Sequence, residues 1–385
     1  MRIGVSNDNY PEKRTIIVDS GMEYINFKNK NLYSYINLVN MKFFRQSKIF
    51  LFKPVISSPK RDVDVFHVFN EIAITDRKWV ATFETELPRI LPPKSGNKDE
   101  NRAKLQRLSS ALTANNCLAL IALSGAAYKM EMKLFRDSPE LSQTIRDKMV
   151  VMHPPQKLYT PIRQSRKAAA PVHFVFIGKD FYRKGGGEIV RAFDELLAEN
   201  KIQSSQVKVT LIGDLKKTGN YALGKYQDEP TFASETEAMI ARHGDLYEHV
   251  PSMPNDQVMT LLQKADVGLL PTWAETYGFS VLEMQSCGCP VITTNVRALP
   301  EINPTEAGWQ VTHELNDDCD YSVTSAQERD RLRRKTIDQL KVIIADIVKT
   351  PEAITRKANA AIARIRDEHD MEAYQIKLRS LYNQK

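Results

Sequence analysis

Two carboxylates stand eight positions apart in the stretch Pro271-Thr-Trp-Ala-Glu275-Thr-Tyr-Gly278-Phe-Ser-Val-Leu-Glu283, one on each side of a glycine. The segment reads as a ligand-binding turn between a short apolar run and a helix. Upstream, Asp180-Phe-Tyr-Arg183-Lys184-Gly-Gly-Gly187 puts two adjacent cations on a glycine-rich loop. Such a pair suits a diphosphate, because arginine offers a planar fork of donors and lysine a compact charge. Tyr277, Gly278, Phe279, Ser280 and Val281 would lie at a helix N-terminus, where free N–H groups and the positive dipole end also favour phosphate. Taken singly, each motif also fits an ordinary strand-loop-helix unit, with Glu283 capping Ser280, Glu275 solvated and the cations at the surface.

Both motifs need a strand before them and a helix after. Ala265-Asp-Val-Gly-Leu-Leu270 is short, apolar and stopped by Pro271, as a buried parallel strand should be. Ser280-Val-Leu-Glu283 has the spacing of a capping box, and Met284-Gln-Ser-Cys-Gly288 carries the helix to a glycine stop. His173-Phe-Val-Phe-Ile177 is the strand before the cationic loop, and Gly178 opens the turn. After it, Ile189, Ala192, Phe193, Leu196 and Leu197 recur at helical spacing. Further strand-like runs occur at Thr15–Val18, Lys48–Phe52, Val63–Phe69, Trp79–Phe83, Cys117–Leu123, Lys148–Met152, Val207–Ile212, Tyr247–Val250 and around Val291. Helical or looped stretches separate them, which predicts parallel α/β topology twice over. Pro154-Pro155 and the polar, basic run Arg163–Ala170 mark a hinge. The expected domains are residues 1–168 and 169–365, with a last helix in 366–385.

The residues from Asp256 to Ile302 closely resemble the signature of glycosyltransferase family 4, the glycosyl transferases group 1. The likeness is carried by Leu262-Gln-Lys-Ala-Asp-Val-Gly-Leu-Leu-Pro-Thr before the turn and by Gly288-Cys-Pro-Val-Ile-Thr-Thr-Asn after it. Glu275 and Glu283 fit the family's Glu-x7-Glu motif, and Gly178-Lys-Asp-Phe-Tyr-Arg183-Lys184-Gly-Gly fits its cationic loop. The resemblance implies the GT-B fold: two Rossmann-like doubly wound domains facing each other across a cleft, the C-terminal helix crossing back to the N-terminal domain. It further implies retaining transfer of a sugar from a UDP- or GDP-sugar to a hydroxyl acceptor, in cell-surface polysaccharide or lipid-linked glycan synthesis. Arg183 and Lys184 would then hold the diphosphate, Glu275 would orient sugar hydroxyls, and Glu283 would accept hydrogen bonds from the ribose diol. Gly178 and Gly278 would let the backbone approach the donor without a Cβ in the way. With paired cations at the diphosphate, no metal and no further cofactor is expected.

In the first half the resemblance thins. Asp64-Val-Phe-His67-Val-Phe69 and Trp79-Val-Ala-Thr-Phe-Glu84-Thr-Glu86-Leu-Pro-Arg89 align with family strands that often carry a His-x-His pair and a Thr-x-His. Here Phe69 and Glu84 occupy those histidine positions, and no glycine-rich loop follows the first strand. His67, Glu84 and Glu86 are the acceptor-side candidates. His67 also reads as a satisfied core histidine, whereas the two glutamates lie beyond a strand's carboxyl end, where open α/β sheets bind ligands. These departures keep open a non-catalytic nucleotide-sugar-binding protein, and a nucleotide-sugar epimerase on a similar scaffold is a second alternative.

With 385 residues, 42% hydrophobic and 26% charged, the chain suits a soluble globular protein of two domains. It has no run of about 18 apolar residues and no cleavable signal pattern, so a cytoplasmic location is expected. The net charge is +7, and residues 1–60 hold ten basic side chains against four acidic ones. Aromatics interleave with Lys42, Arg45 and Lys48. The pattern fits a helix and strand with core aromatics and solvated lysines, and it also leaves open a peripheral dock on the anionic inner face of the membrane. No nucleic-acid-binding module accompanies the charge. Cys117, Cys287, Cys289 and Cys319 have neither a disulfide framework nor zinc spacing.

Overall fold

A computed structural model describes residues 1–40, 42, 48–55, 63–89, 108–165 and 170–384. Arg45 and the expected domain boundary at 168/169 lie outside the described residues. The chain divides into two compact units, Met1–Pro155 with His369–Lys385, and Gln156–Glu368.

The first unit is built on β1 (Arg2–Val5), β2 (Glu23–Asn26), β3 (Leu51–Phe52), β4 (Val65–Phe69), β5 (Ile72–Ala73), β6 (Trp79–Phe83), β7 (Cys117–Ala122) and β8 (Met149–Val151). Among the described residues, six of these strands form one parallel sheet in the order β2-β1-β4-β6-β7-β8, and β3 pairs with β5. β4, β6 and β7 are buried at every position, which is why they read as unbroken apolar runs rather than alternating ones. Around the sheet lie α1 (Tyr10–Thr15), α2 (Leu32–Val39), α3 (Gly125–Leu134) and α4 (Pro139–Lys148). The side chain of Ser124 caps α3 by accepting the Ala127 N–H at 3.0 Å.

Two strand expectations fail in informative ways. Thr15–Val18 is not a strand: Pro11 sits in the first turn of α1, and the Ile16 and Ile17 N–H groups both return to the Glu12 carbonyl at 2.8 Å. In Lys48–Phe52, only Leu51 and Phe52 pair as strand. The polar edge strand β2 went unread because its sequence, Glu-Tyr-Ile-Asn, carries no apolar run.

The C-terminal helix, Met371–Tyr382, belongs to the first unit, as the crossing expected of the fold requires. Tyr374 Oη donates to the Thr15 carbonyl at 2.8 Å, and Arg379 forks onto Asp19 at 2.6 and 2.8 Å. Tyr374, Leu378 and Tyr382 form its buried face.

The second unit carries β9 (Val172–Asp180), β10 (Val207–Asp214), β11 (Tyr247–Val250), β12 (Val267–Leu270), β13 (Val291–Thr294) and β14 (Trp309–Val311). They form a parallel sheet in the order β11-β10-β9-β12-β13-β14. Its helices are α5 (Gly186–Ala198), α6 (Pro230–Arg242), α7 (Asn255–Leu262), α8 (Phe279–Ser286), α9 (Leu299–Ile302), α10 (Ala326–Lys349) and α11 (Glu352–Glu368). The α5 stripe of Ile189, Ala192, Phe193 and Leu196 packs into a core with Phe174 and Phe176 of β9, and the Phe174 and Phe193 rings meet edge-on at 5.2 Å. Strand order reverses between β9 and β12, so the carboxyl ends of these neighbours flank a topological switch point, the usual ligand crevice of an open α/β sheet.

Candidate functional site

Both sequence motifs emerge at that switch point. The cationic loop leaves β9 and enters α5; the Glu275 loop leaves β12 and enters α8. The two loops are tied together by backbone. Trp273 N–H donates to the Arg183 carbonyl at 2.9 Å, Thr272 Oγ1 donates to the same oxygen at 3.1 Å, and the Arg183 guanidinium donates back to the Ala274 carbonyl at 2.9 Å. Gly185 enters α5 with φ +89°, and a Cβ there would stand 2.2 Å from the Pro271 carbonyl oxygen. Only glycine allows this close approach and this left-handed backbone together.

Arg183 and Lys184 both face carboxylates. Arg183 donates to Asp180 at 2.5 Å, and its guanidinium lies 5.1 Å from the Tyr221 ring centroid. That hydrogen bond holds the Asp180 carboxyl below its usual range. Lys217 approaches the other Asp180 oxygen at 3.6 Å. Lys184 pairs with Glu275 across the two loops, and both side chains are only 14% exposed. Gly178 permits this arrangement, since a Cβ on it would lie 2.7 Å from Lys184 Cβ. The structure therefore brings Gly178, Arg183, Lys184 and Glu275, drawn from motifs 91 residues apart at the Lys184–Glu275 pair, into one cluster.

The turn before α8 corrects one expectation. Gly278, at φ +107°, is the N-cap, and no side chain caps the helix. Ser280 is already inside α8, so the expected Ser280–Glu283 capping box does not form. A Cβ on Gly278 would lie 2.8 Å from Leu299 Cδ2, a second reason for glycine here. The Val281 N–H turns back to the Gly278 carbonyl at 2.9 Å, and the amides of Phe279 and Ser280 are the first two of the helix. Tyr277 is 1% exposed and its ring packs on Phe279 at 5.3 Å, so its side chain builds the turn. Glu283 lies half-buried in the second turn of α8.

The three acceptor-side candidates lie in the first unit. His67 is fully buried: Nδ1 meets Tyr382 Oη at 2.6 Å and Nε2 meets Thr82 Oγ1 at 2.7 Å. Burial pushes its pKa down to about 3, so the ring is neutral and holds the C-terminal helix to β6. Glu84 and Asn70 bind each other twice, the Glu84 N–H donating to Asn70 Oδ1 at 3.0 Å and Asn70 Nδ2 donating to Glu84 at 3.2 Å. Glu86 is half-buried near Glu131, a fully buried carboxyl that accepts the Leu87 N–H at 2.6 Å. Phe69 is buried in β4, so no histidine stands at that position of the strand.

Residues 161–341 match the sequence family described as glycosyl transferases group 1. That segment belongs to the glycosyl transferases group 1. The D-inositol 3-phosphate glycosyltransferase of Paenarthrobacter aurescens is 27% identical over 149 residues, covering 37% of this chain and 33% of that protein. The enzyme of that name from Acidothermus cellulolyticus is 27% identical over 142 residues, covering 36% and 30%. The matched part thus spans about a third of the length of these curated relatives. Among solved structures, Anabaena Alr3699/HepE in complex with UDP-glucose superposes with a TM-score of 0.56 at 13% identity, covering 99% of this chain and 98% of that one. A glycosyltransferase from Rickettsia africae gives 0.55 at 16% identity, covering 99% and 89%. These likenesses identify the fold as GT-B. In this group 1 segment lie all the proposed donor-side residues, from Gly178 to Glu283.

Sequence reasoning passed over Asp180, Glu188, Trp273 and Arg333. Asp180 and Trp273 sit inside the motif segments but were given no task, Glu188 directly follows the cationic loop, and Trp273 has the only indole in the two segments. Arg333, on α10, offers no local signal, because an arginine in a charged helix reads as solvated.

Proposed function

We propose that this chain is a retaining glycosyltransferase moving a sugar from a nucleoside diphosphate sugar to a hydroxyl acceptor. The observation that carries the reading is the cluster at the switch point: two cations and a carboxylate on loops locked by backbone hydrogen bonds, beside the N-terminus of α8. Such a cluster is preorganised for a leaving diphosphate. Arg183 and Lys184 stabilise its developing charge, and the leading amides of α8 add dipoles in a position that needs no rearrangement. In exchange for the cation, Glu275 turns to the sugar hydroxyls, while Glu283 accepts from the ribose diol. Retention follows from same-face attack, the departing diphosphate taking the acceptor proton. With cations in place, the step needs no metal and no other cofactor. A UDP- or GDP-sugar is the donor class; the solved relative carrying UDP-glucose supports the uridine member. The acceptor is a carbohydrate or lipid-linked glycan hydroxyl of the kind used in cell-surface polysaccharide synthesis.

The first unit adds a contact with the cytoplasmic membrane face. α2 exposes Tyr35, Leu38 and Val39, and Lys28, Lys42 and Lys53, on segments before and after it in the chain, are exposed. Residues 24–61 contain no acidic side chain. An exposed apolar helix face with exposed lysines on neighbouring segments of the chain suits peripheral contact with anionic lipid. Among the described residues no helix is long and apolar enough to cross a membrane.

Thermal unfolding with uridine, guanosine and adenosine diphosphates and their sugars tests the donor assignment. A ligand at about a hundred times its dissociation constant adds roughly 2.7 kcal/mol, moving the midpoint by several degrees. One base alone should produce the shift, and Glu283→Ala should abolish most of it. No shift with any nucleotide would remove the donor site. Donor conversion without an acceptor would indicate an epimerase, and binding without transfer or slow donor hydrolysis a non-catalytic binder.

A further inference from the structure

The two donor-side loops share a second tie, beneath the first. Glu188, in the first turn of α5, is 1% exposed, and its Oε1 accepts both Trp273 Nε1 and Arg333 Nε at 2.9 Å. Its Oε2 is buried without a hydrogen-bond partner, so one oxygen carries both bonds. Arg333 reaches the site from α10, donating its other arm to Asp228 at 2.6 Å and stacking 3.9 Å from the Phe232 centroid and 5.5 Å from Trp273. Asp228 is in turn 3.6 Å from Arg329. Trp273 is the residue whose backbone N–H holds the Arg183 carbonyl, and Ala274 and Glu275 follow it directly. The indole end of Trp273 is thus pinned by Glu188 on the cationic-loop helix, while its backbone end is pinned by Arg183 on that loop.

We infer that Arg333 and Glu188 are positioning residues that set the distance between the diphosphate cations and Glu275, acting through the indole of Trp273. The inference rests on the donor site proposed above. None of the three side chains needs to touch the donor. Arg333, its guanidinium set against the Phe232 and Trp273 rings, holds the Glu188 carboxylate in one orientation. That orientation fixes the indole, and the indole fixes the stretch from Trp273 to Glu275 against Arg183 and Lys184. Misplacing such groups by about an ångström costs as much as a hundredfold in rate. Arginine is required because its fork spans Glu188 and Asp228 while its plane stacks on Phe232; lysine offers one compact charge and no plane.

The test uses Trp273→Phe, Arg333→Lys and the pair Glu188→Ala and Glu188→Gln in the full chain. Trp273→Phe leaves Arg333 on Glu188 and an aromatic ring in place, so no buried charge is stranded. Hydrogen exchange in the free chain should quicken about tenfold or more in peptides covering 181–187 and 271–278, with the rest of the second unit near parental. With the donor that stabilises the parent, kcat should fall about ten- to a hundredfold, while donor KM moves less, because the cations act on charge that develops in the transition state. Glu188→Gln, which keeps an oxygen acceptor, should recover much of the kcat lost in Glu188→Ala. Parental exchange and parental kcat in both Trp273→Phe and Arg333→Lys would overturn the inference. So would exchange that rises across the whole unit with kcat per folded molecule unchanged, which would make the network a stability feature only. Faster loop exchange in the variants, with a parent that binds no nucleoside diphosphate, would refute the donor-site reading and uphold the coupling of the loops.

Discussion

His67 illustrates how burial decides what a titratable side chain can do. Its two ring nitrogens are spent on Tyr382 and Thr82, and its pKa is pushed down to about 3, below the ordinary histidine value of about 6.5. A depressed folded pKa means that the unfolded chain binds the proton more readily. The stability contribution of the neutral ring is therefore complete above pH 6.5 and is lost as pH falls toward 3, at about 1.4 kcal/mol per pH unit. Urea unfolding of the first unit at pH 7 and pH 4.5 should show the parent losing about 2–3 kcal/mol more than His67→Gln. Equal losses would mean that the ring is protonated in the folded state. In the sequence His67 admitted both a core and a functional reading, because nothing local names the tyrosine 315 positions away. Arg183, Lys184 and Glu275 were different: their types and their neighbouring glycines were legible, and only their ion pairing with Asp180 and with each other's loop had to come from the structure.

At the scale of elements, glycines decide how closely the two loops meet. A Cβ at Gly185 meets the Pro271 carbonyl at 2.2 Å, and φ +89° is strained for any other residue. Gly185→Ala should cost at least about 1–3 kcal/mol from the backbone conformation alone, read as a lower urea midpoint of the second unit. Gly219→Ala, where nothing lies within 4 Å, should stay within about 0.5 kcal/mol of the parent. Equal midpoints for the two variants would mean that the loops do not approach as described. Strands β4, β6, β7 and β12 were readable because burial on both faces demands continuous apolar runs. β2, β5 and β14 were not: Glu-Tyr-Ile-Asn and Trp-Gln-Val interrupt their apolar residues with polar ones, and Ile-Ala is only two residues long. The capping box at Ser280 was a false match: the spacing was right, but Gly278 starts the helix two residues earlier.

For the molecule as a whole, the charge imbalance has a structural counterpart. The acid-free stretch 24–61 includes α2, whose Tyr35, Leu38 and Val39 are 54%, 66% and 45% exposed. Each lysine near an anionic bilayer contributes about 1 kcal/mol, so replacing Lys28, Lys42 and Lys53 together with alanine should weaken sedimentation with phosphatidylserine-containing vesicles by roughly a hundredfold. Vesicles of phosphatidylcholine alone should bind parent and variant equally weakly. Equal binding of both chains to the anionic vesicles would make these lysines ordinary solvated charges.

By itself the sequence determined the fold class, the two α/β units and the two glycine-bearing loops that meet at the switch point. Each of these is written in local terms: apolar runs of strand length, helical periodicity, and glycines where the backbone must turn. Tertiary structure alone decided which groups meet. Tyr382 closes on His67 across 315 residues, Arg333 reaches Glu188 across 145, and Glu275 finds Lys184 across 91. Such pairs are selected by the approach of distant elements in three dimensions, and a hydrogen bond between them leaves no spacing in the chain from which it can be read.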